Sequence, residues 1–258
     1  MLVTLTSDWN RRDYYAGSLK GAIRARCPEV EIIDITHQIR SFDIVQCAFV
    51  LRHSFVHFPT GTIHLMAVQC EPGPLVPMVI VYARDHYFVG LNDGRFSLLL
   101  DDPPVEAFAL PTPVGPHSFA SLSLFCRAVA AVVENRVEKE TKVCTLQAES
   151  YSRPVYSAAE IVGRVVYIDS YGNAITNINR ALFTRVGQGR AFEIFVQGPY
   201  AKLEGIAGSY GEVAIGQMLA LFNSAGCLEI ASNQANLAQI ENLDTHSEIR
   251  IKFYERKR

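Results

Sequence analysis

The order strand, helix, strand within the first 35 residues constrains the fold more than any other feature of the chain. Met1 to Thr6 is short, apolar and β-branched, and it runs into Ser7-Asp8-Trp9-Asn10, turn and cap formers that end a strand. From Asp13 to Arg26 the residues Tyr15, Leu19, Ala22 and Ile23 recur on one helical face, with Asp13 near the N-terminus where the helix dipole favours an anion. Cys27-Pro28 stops this helix, and Val30 to Ile35 reads as a second strand. Strands joined through a helix lie parallel, so the first half is expected to be a Rossmann-like α/β domain. The same reading continues with a helix over Phe42 to Phe55 and a buried strand over Ile63 to Val68. Strands at Val79 to Tyr82 and His86 to Gly90 follow, joined at Arg84-Asp85, then a turn at Asn92-Asp93-Gly94 and a buried helix over Ser118 to Val133.

Beyond Glu134 the pattern changes. A charged patch at Glu138-Lys-Glu140 and a polar stretch from Gln147 to Pro154 precede short β-rich segments near 165–168, 192–197, 213–215, 218–222, 227–231 and 248–254, separated by Gly, Pro, Asn or Ser. We expect an α/β domain over 1–148, a linker over 149–162 and an all-β domain over 163–258. With 258 residues, 49% of them hydrophobic, the chain can bury two cores. A formal net charge of -2 with scattered Lys and Arg gives no footprint for nucleic acid or an anionic membrane, so a small-molecule partner is expected. The six cysteines have neither C-x-x-C nor zinc-ligand spacing, which predicts free thiols and no metal site. No secretory N-region and no apolar run of about 20 residues is seen, which predicts a cytoplasmic protein.

Two polar turns and one strand end carry chemistry. Asp169-Ser-Tyr-Gly-Asn-Ala-Ile-Thr-Asn-Ile178 follows the apolar run Val165 to Ile168 and offers a carboxylate, an aromatic ring, a glycine and an amide that donates and accepts. It either closes around a small polar ligand or simply closes a hairpin. Asn223-Ser-Ala-Gly-Cys-Leu-Glu-Ile-Ala231 offers backbone N–H groups to a carboxylate or is a plain hairpin. Asp8, just past the first strand, is placed where open α/β sheets bind ligands, with an N-cap or turn role as its alternative. His37, His64 and His86 read as structural histidines, whereas His117 in a Pro/Gly-rich loop is a candidate acid/base.

A resemblance now covers nearly the whole chain. Thr6-Ser-Asp8, Asp13-Tyr-Tyr-Ala-Gly17 with Leu19-Lys-Gly21, Ile33-Asp-Ile-Thr-His37 with Phe42-Asp-Ile44, Phe58-Pro-Thr-Gly-Thr-Ile-His64, Tyr87-Phe-Val-Gly90 with Asn92-Asp-Gly94, and the two turns occur in the order found in the SAM hydroxide adenosyltransferase family. That family is related to the SAM-dependent fluorinase and chlorinase. The resemblance implies a C-terminal β-barrel-like domain and a homotrimer that binds S-adenosyl-L-methionine (SAM) between one subunit's N-terminal domain and its neighbour's C-terminal domain. No further cofactor is implied. By motif, Asp8 would hold both ribose hydroxyls, Asp169 would face the methionine ammonium, Tyr171 and Asn173 would line the adenine pocket, and Ser224 would help hold the methionine carboxylate.

The catalytic motifs of the family are altered. Its hydrolases carry V-D-P-G-V-G followed by Arg, and later H-G-R-D. Here Val68-Gln-Cys-Glu-Pro-Gly-Pro-Leu-Val76 puts Gln69 and Val76 at the Asp and Arg positions, and the histidine position falls near Val114 in Val114-Gly-Pro-His117. One account has Glu71 and His117, the ionisable residues close to these segments, orient water for hydrolysis of SAM to adenosine and L-methionine. The other is a SAM or adenosine binder without turnover. Halide transfer is disfavoured, because no snug site for a halide is evident.

Overall fold

The computed structural model describes residues 1–100, 106–112, 118–148 and 153–254. The backbone divides into two compact units, 1–150 and 151–258. In the first, β1 (Leu2–Ser7), α1 (Tyr15–Arg26) and β2 (Glu31–Thr36) form the expected parallel pair. They are followed by α2 (Ile44–Ser54), β3 (Ile63–Ala67), β4 (Met78–Ala83), β5 (His86–Leu91), α3 (Arg95–Leu99), β6 (Glu106–Ala109), α4 (Ala120–Val133), α5 (Val137–Glu140) and β7 (Lys142–Val143). The sheet order is β2-β1-β3-β5-β4-β6-β7: the first four strands run parallel, and the other three continue the sheet antiparallel.

Strand alternation sends side chains to two helical layers. Val3, Leu5, Ile63 and Leu65 pack with Leu19 and Ile23 of α1 and with Leu124, Phe125 and Val129 of α4. On the other face Met66, Val68, Val81 and Phe88 meet Cys47, Ala48 and Leu51 of α2 and Phe96 and Leu99 of α3. Each such Leu, Ile or Phe is worth about 1.5–3 kcal/mol when fully buried, which is why periodicity located these elements so well. α1 begins two residues after Asp13, and α4 begins at Ala120 behind Phe119, whose φ of 63° turns the chain into the helix. The β4–β5 turn sits at Arg84 and Asp85, both left-handed, as a two-residue hairpin requires.

The second unit is an antiparallel sheet with two short helices appended: β8 (Val155–Tyr156), β9 (Glu160–Ile168), β10 (Ala174–Asn179), α6 (Arg180–Gly187), β11 (Ala191–Val196), β12 (Lys202–Leu203), β13 (Met218–Phe222), β14 (Cys227–Ser232), α7 (Leu237–Ile240) and β15 (Glu248–Tyr254). Its order is β12-β11-β15-β9-β10-β14-β13, with β8 on β9. The two end strands approach each other, and Ala207 N–H donates to Ala220 O at 2.7 Å, so the sheet is nearly a closed barrel. Ile161, Val165, Ile178, Ile194, Ile230, Ile249 and Ile251 fill it. The expected linker 149–162 contains β8 and the first residues of β9. The segment 213–215 is not a strand. Asn233 Nδ2 donates to Val213 O, and the Gln217 side chain accepts from Ala214 N–H, so side chains take the backbone groups a ladder would use.

Candidate active site

The first sheet changes direction between β1 and β3, because the chain leaves β1 for β2 on one side and returns as β3 on the other. At such a switch point the connections part and leave a crevice beyond the carboxyl ends of the strands. Asp8 immediately follows β1, and Gln69 lies two residues past β3. Asp8 Oδ2 accepts from Phe42 N–H at 2.9 Å and from Gln69 N–H at 3.4 Å. Both donors are left-handed, with φ of 68° and 44°, a conformation that costs a non-glycine residue about 1–2 kcal/mol. One carboxylate oxygen thus ties together two strained connections, and strain of this kind collects at functional sites. Among the described residues Oδ1 has no hydrogen-bond partner.

Behind Asp8, Ser7 Oγ and His37 Nδ1 lie 2.7 Å apart, Asp34 Oδ2 is 3.2 Å from His37 Nε2, and Lys20 Nζ is 2.5 Å from the same oxygen. Burial opposes the Asp34 charge, but Lys20 and His37 outweigh it and hold the carboxyl below its ordinary range. His37 thus lies buried between Ser7 and Asp34. Trp9 packs edge-on to Phe119 with centroids 5.5 Å apart, and both touch Tyr15, giving an aromatic wall beside Asp8 in sequence.

The segment after β3 is anchored twice. Arg95, fully buried, gives Nη1 to Met66 O at 3.0 Å and Nη2 to Gln69 O at 3.3 Å, while Nε and Nη2 grip Asp93 at 2.8 and 2.6 Å. Burial works against the guanidinium charge, yet the Asp93 contact more than offsets it and raises the Arg95 pKa. Glu71 is the second anchor: Oε2 accepts from Ala120 N–H at 3.0 Å and Oε1 from the Ser121 hydroxyl, so the carboxylate caps α4 from another connection. Between them Cys70 is buried, and desolvation pushes its thiol up to about 11.

In the second unit Asp169 organises its own turn. Oδ1 accepts from the N–H groups of Tyr171 and Asn173, both at 2.9 Å, and Oδ2 accepts from Asn173 Nδ2 at 3.0 Å. Gly172, at φ 84°, lies so close to Asn236 that a Cβ would fall 2.1 Å from its Oδ1. The turn leaves Tyr171 78% exposed while Asn173 is buried. The other turn is built on Asn223, whose Oδ1 accepts from Ala225 and Cys227 N–H and whose Nδ2 donates to Glu229 Oε2 at 3.1 Å, leaving Ser224 exposed at the tip. Glu229 is buried and also accepts from the Tyr210 hydroxyl at 2.6 Å. Burial and then the Glu229 hydrogen bond and charge raise the Tyr210 phenol, with Asp169 adding to the effect.

The structure therefore joins Asp8 to the altered segment through Gln69, and gathers Asp169, Tyr171 and Asn173 in one turn. Ser224 stands on a separate turn, because Ala174 pairs with Ile230 and Asn179 with Cys227, which puts the two turns toward opposite ends of β10 and β14. His117 lies outside the described residues. Glu71 and His117 are not the sole ionisable residues near the altered segment, since Arg95 touches it directly. Asp93 belongs to the turn signal Asn92-Asp93-Gly94, whereas Arg95 just beyond it carries no signal, since nothing local betrays that its guanidinium points inward. Glu229 was missed because it sits in a run reading as strand, although a lone carboxylate between Leu228 and Ile230 is itself a signal of a buried polar contact. Among the described residues no group of three or more His, Cys, Asp or Glu is placed to hold a metal, and no helix is long and apolar enough to cross a membrane.

An "(R)-S-adenosyl-L-methionine hydrolase" of Methanocaldococcus jannaschii is 25% identical over 97% of this chain and 95% of its own, and one of Thermus thermophilus is 27% identical over 96% and 98%. A "Fluorinase" of Nocardia brasiliensis is 22% identical over 97% and 96%. A crystal structure of an uncharacterized conserved protein from Thermotoga maritima superposes with a TM-score of 0.85 at 25% identity, covering 98% of this chain and all of that one. A Thermus thermophilus structure gives 0.77 at 26% identity, covering 97% and 98%. Residues 3–147 match the SAM hydroxide adenosyltransferase N-terminal domain and 163–250 the C-terminal domain, and the chain belongs to the SAM hydroxide adenosyltransferase family.

Proposed function

We propose that the protein hydrolyses SAM to adenosine and L-methionine by attack of water or hydroxide at C5′. Asp8 carries the reading: a carboxylate at the switch point, fixed through Oδ2 by two backbone N–H groups, keeps Oδ1 for the two ribose hydroxyls. A ribose held there would have C5′ fixed for in-line displacement. The new bond forms between water oxygen and C5′, the C5′–S bond breaks, and its electron pair returns sulfur to a neutral thioether. The proton of water passes to solvent or a nearby base. A sulfonium is already a good leaving group, so alignment supplies much of the acceleration.

In this reading Glu71 and His117, three residues ahead of α4 in sequence, orient the water, with the Glu71 carboxylate aimed by Ala120 and Ser121. The family resemblance assigns Asp169 the methionine ammonium, Tyr171 and Asn173 the adenine, and Ser224 the methionine carboxylate; the first three share one turn here, and Ser224 stands on the other. A homotrimer is part of the proposal and is checked by light scattering. A specific observation favours the alternative of a SAM or adenosine binder without turnover: both Glu71 oxygens already serve α4.

The deciding experiment incubates purified protein with each sulfonium epimer of SAM and follows adenosine and methionine by chromatography, against Asp8→Ala. Both products in equal amounts from the unmutated protein, and none from the variant, support hydrolysis. Unchanged SAM with retained adenosine binding supports the binder, and no binding of either ligand overturns both.

A further inference from the structure

Arg95 is a costly residue to keep where it is. It is fully buried, and removing a charge from water costs several kcal/mol, which its salt bridge to Asp93 only offsets. Replacing such a pair by apolar side chains is often neutral or stabilising, so packing alone gives no reason for it. The backbone is adapted to it as well. A Cβ on Gly90 in β5 would meet Arg95 Cδ at 3.0 Å, Met66 Cβ at 3.3 Å and Arg95 Nη1 at 3.4 Å, so the guanidinium lies in space that a larger residue at 90 would fill.

What the pair holds is the segment leaving β3. Asp93 occupies one edge of the guanidinium fork, which fixes its plane, and the remaining donors reach Met66 O and Gln69 O. Gln69 is therefore gripped from both sides: its carbonyl inward by Arg95, its N–H outward by Asp8, with φ at 44° between them. Phe42, the other donor to Asp8, comes from a different connection and has no such tether to Arg95.

We propose that Asp93 and Arg95 are positioning residues for the Asp8 site: they set Gln69 so that its N–H orients the carboxylate that receives the ribose. The inference rests on the function proposed above for its ligand, although its geometric part stands without it. The pair meets the segment leaving β3 at the Met66 and Gln69 carbonyls, and Gln69 alone of these two also contacts Asp8.

Three variants test it: Gly90→Ala, which crowds the guanidinium without removing it, Arg95→Met and Arg95→Lys. Crystal structures would report the Gln69 conformation and both Asp8 contacts, and calorimetry with adenosine would report affinity well below each variant's unfolding temperature. Expected are release of Gln69 from the left-handed region and loss of its Asp8 contact in Arg95→Met, with the Phe42 contact kept. Adenosine affinity should fall about tenfold, the size of one charge-assisted hydrogen bond. Gly90→Ala should move both readouts the same way, and Arg95→Lys should recover part of each. An unmoved Gln69, or a displaced Gln69 with full affinity, overturns the proposal. If the unmutated protein bound neither adenosine nor SAM, the functional reading would fall, and the Gln69 geometry would still decide whether the pair positions it.

Discussion

Acid should weaken the first unit through one imidazole. His64 in β3 is fully buried, with Nδ1 2.7 Å from Thr4 Oγ1 and Nε2 3.1 Å from His86 Nδ1, among the rings of Phe55, Phe58 and Phe88. Burial, and then the neighbouring His86, lower its pKa to about 3, whereas unfolding returns it to the ordinary value of about 6.5. The folded value lies below the unfolded one, so the unfolded chain binds the extra proton. Stability is full above about pH 6.5 and is lost as the pH falls toward about 3. Between pH 7.5 and pH 5, above the range where carboxylates titrate in the unfolded chain, the loss from His64 is about 2 kcal/mol. His86 is lowered by burial too and adds to it.

The assay is urea unfolding followed by Trp9, the single tryptophan of the chain, which reports on the first unit. It is run at both pH values on the unmutated protein and on His64→Gln, whose neutral amide can still serve Thr4 and His86. The unmutated protein should lose about 2 kcal/mol more than the variant. Equal losses in the two proteins would refute a neutral, desolvated His64.

Gly172→Ala forces a Cβ onto Asn236, whose Oδ1 caps α7 through Gln239 N–H; left-handed strain and the lost cap together should cost about 2–3 kcal/mol in calorimetric unfolding. Asp43→Ala removes the acceptor for Gln46 N–H at the start of α2 and should cost about 1 kcal/mol, with Asp43→Asn recovering most of it. Glu229→Gln removes the charge that helps raise the Tyr210 phenol, so its pKa, followed by NMR of labelled tyrosine, should move down toward the ordinary tyrosine value. Glu229→Ala leaves Tyr210 and Asn223 without an acceptor and should destabilise by about 1–3 kcal/mol.

Much of the fold was legible because it is written in periodicity. β1, α1 and β2 follow from apolar spacing and a stop at Cys27-Pro28, and Arg84-Asp85 supplied the hairpin turn. What escaped depends on nonlocal partners. α6 hides in Arg180 to Gly187, where only Leu182, Val186 and Gly187 are buried, and the cap that starts it, Asn179, lies just past the end of the polar turn motif. The segment 213–215 carries strand-forming residues, yet the nearby Gln217 and the more distant Asn233 take its backbone groups. Asp8 stands out as a candidate because strand ends in open α/β sheets bind ligands whatever the sequence. Arg95 and Glu229 do not, since an arginine after a turn and a glutamate in a strand are ordinarily solvated, and only the assembled neighbours show them inside.

Cys70 has a consequence for how this site can be watched. It lies between Gln69, tethered by Arg95, and Glu71, tethered to α4, and its thiol is buried and held at about 11. The thiolate is the reactive form, so at neutral pH a labelling reagent meets an inert group until the segment comes away from both tethers. Its modification rate is then a clock for the opening of the connection after β3, readable in the unmutated chain without any introduced probe.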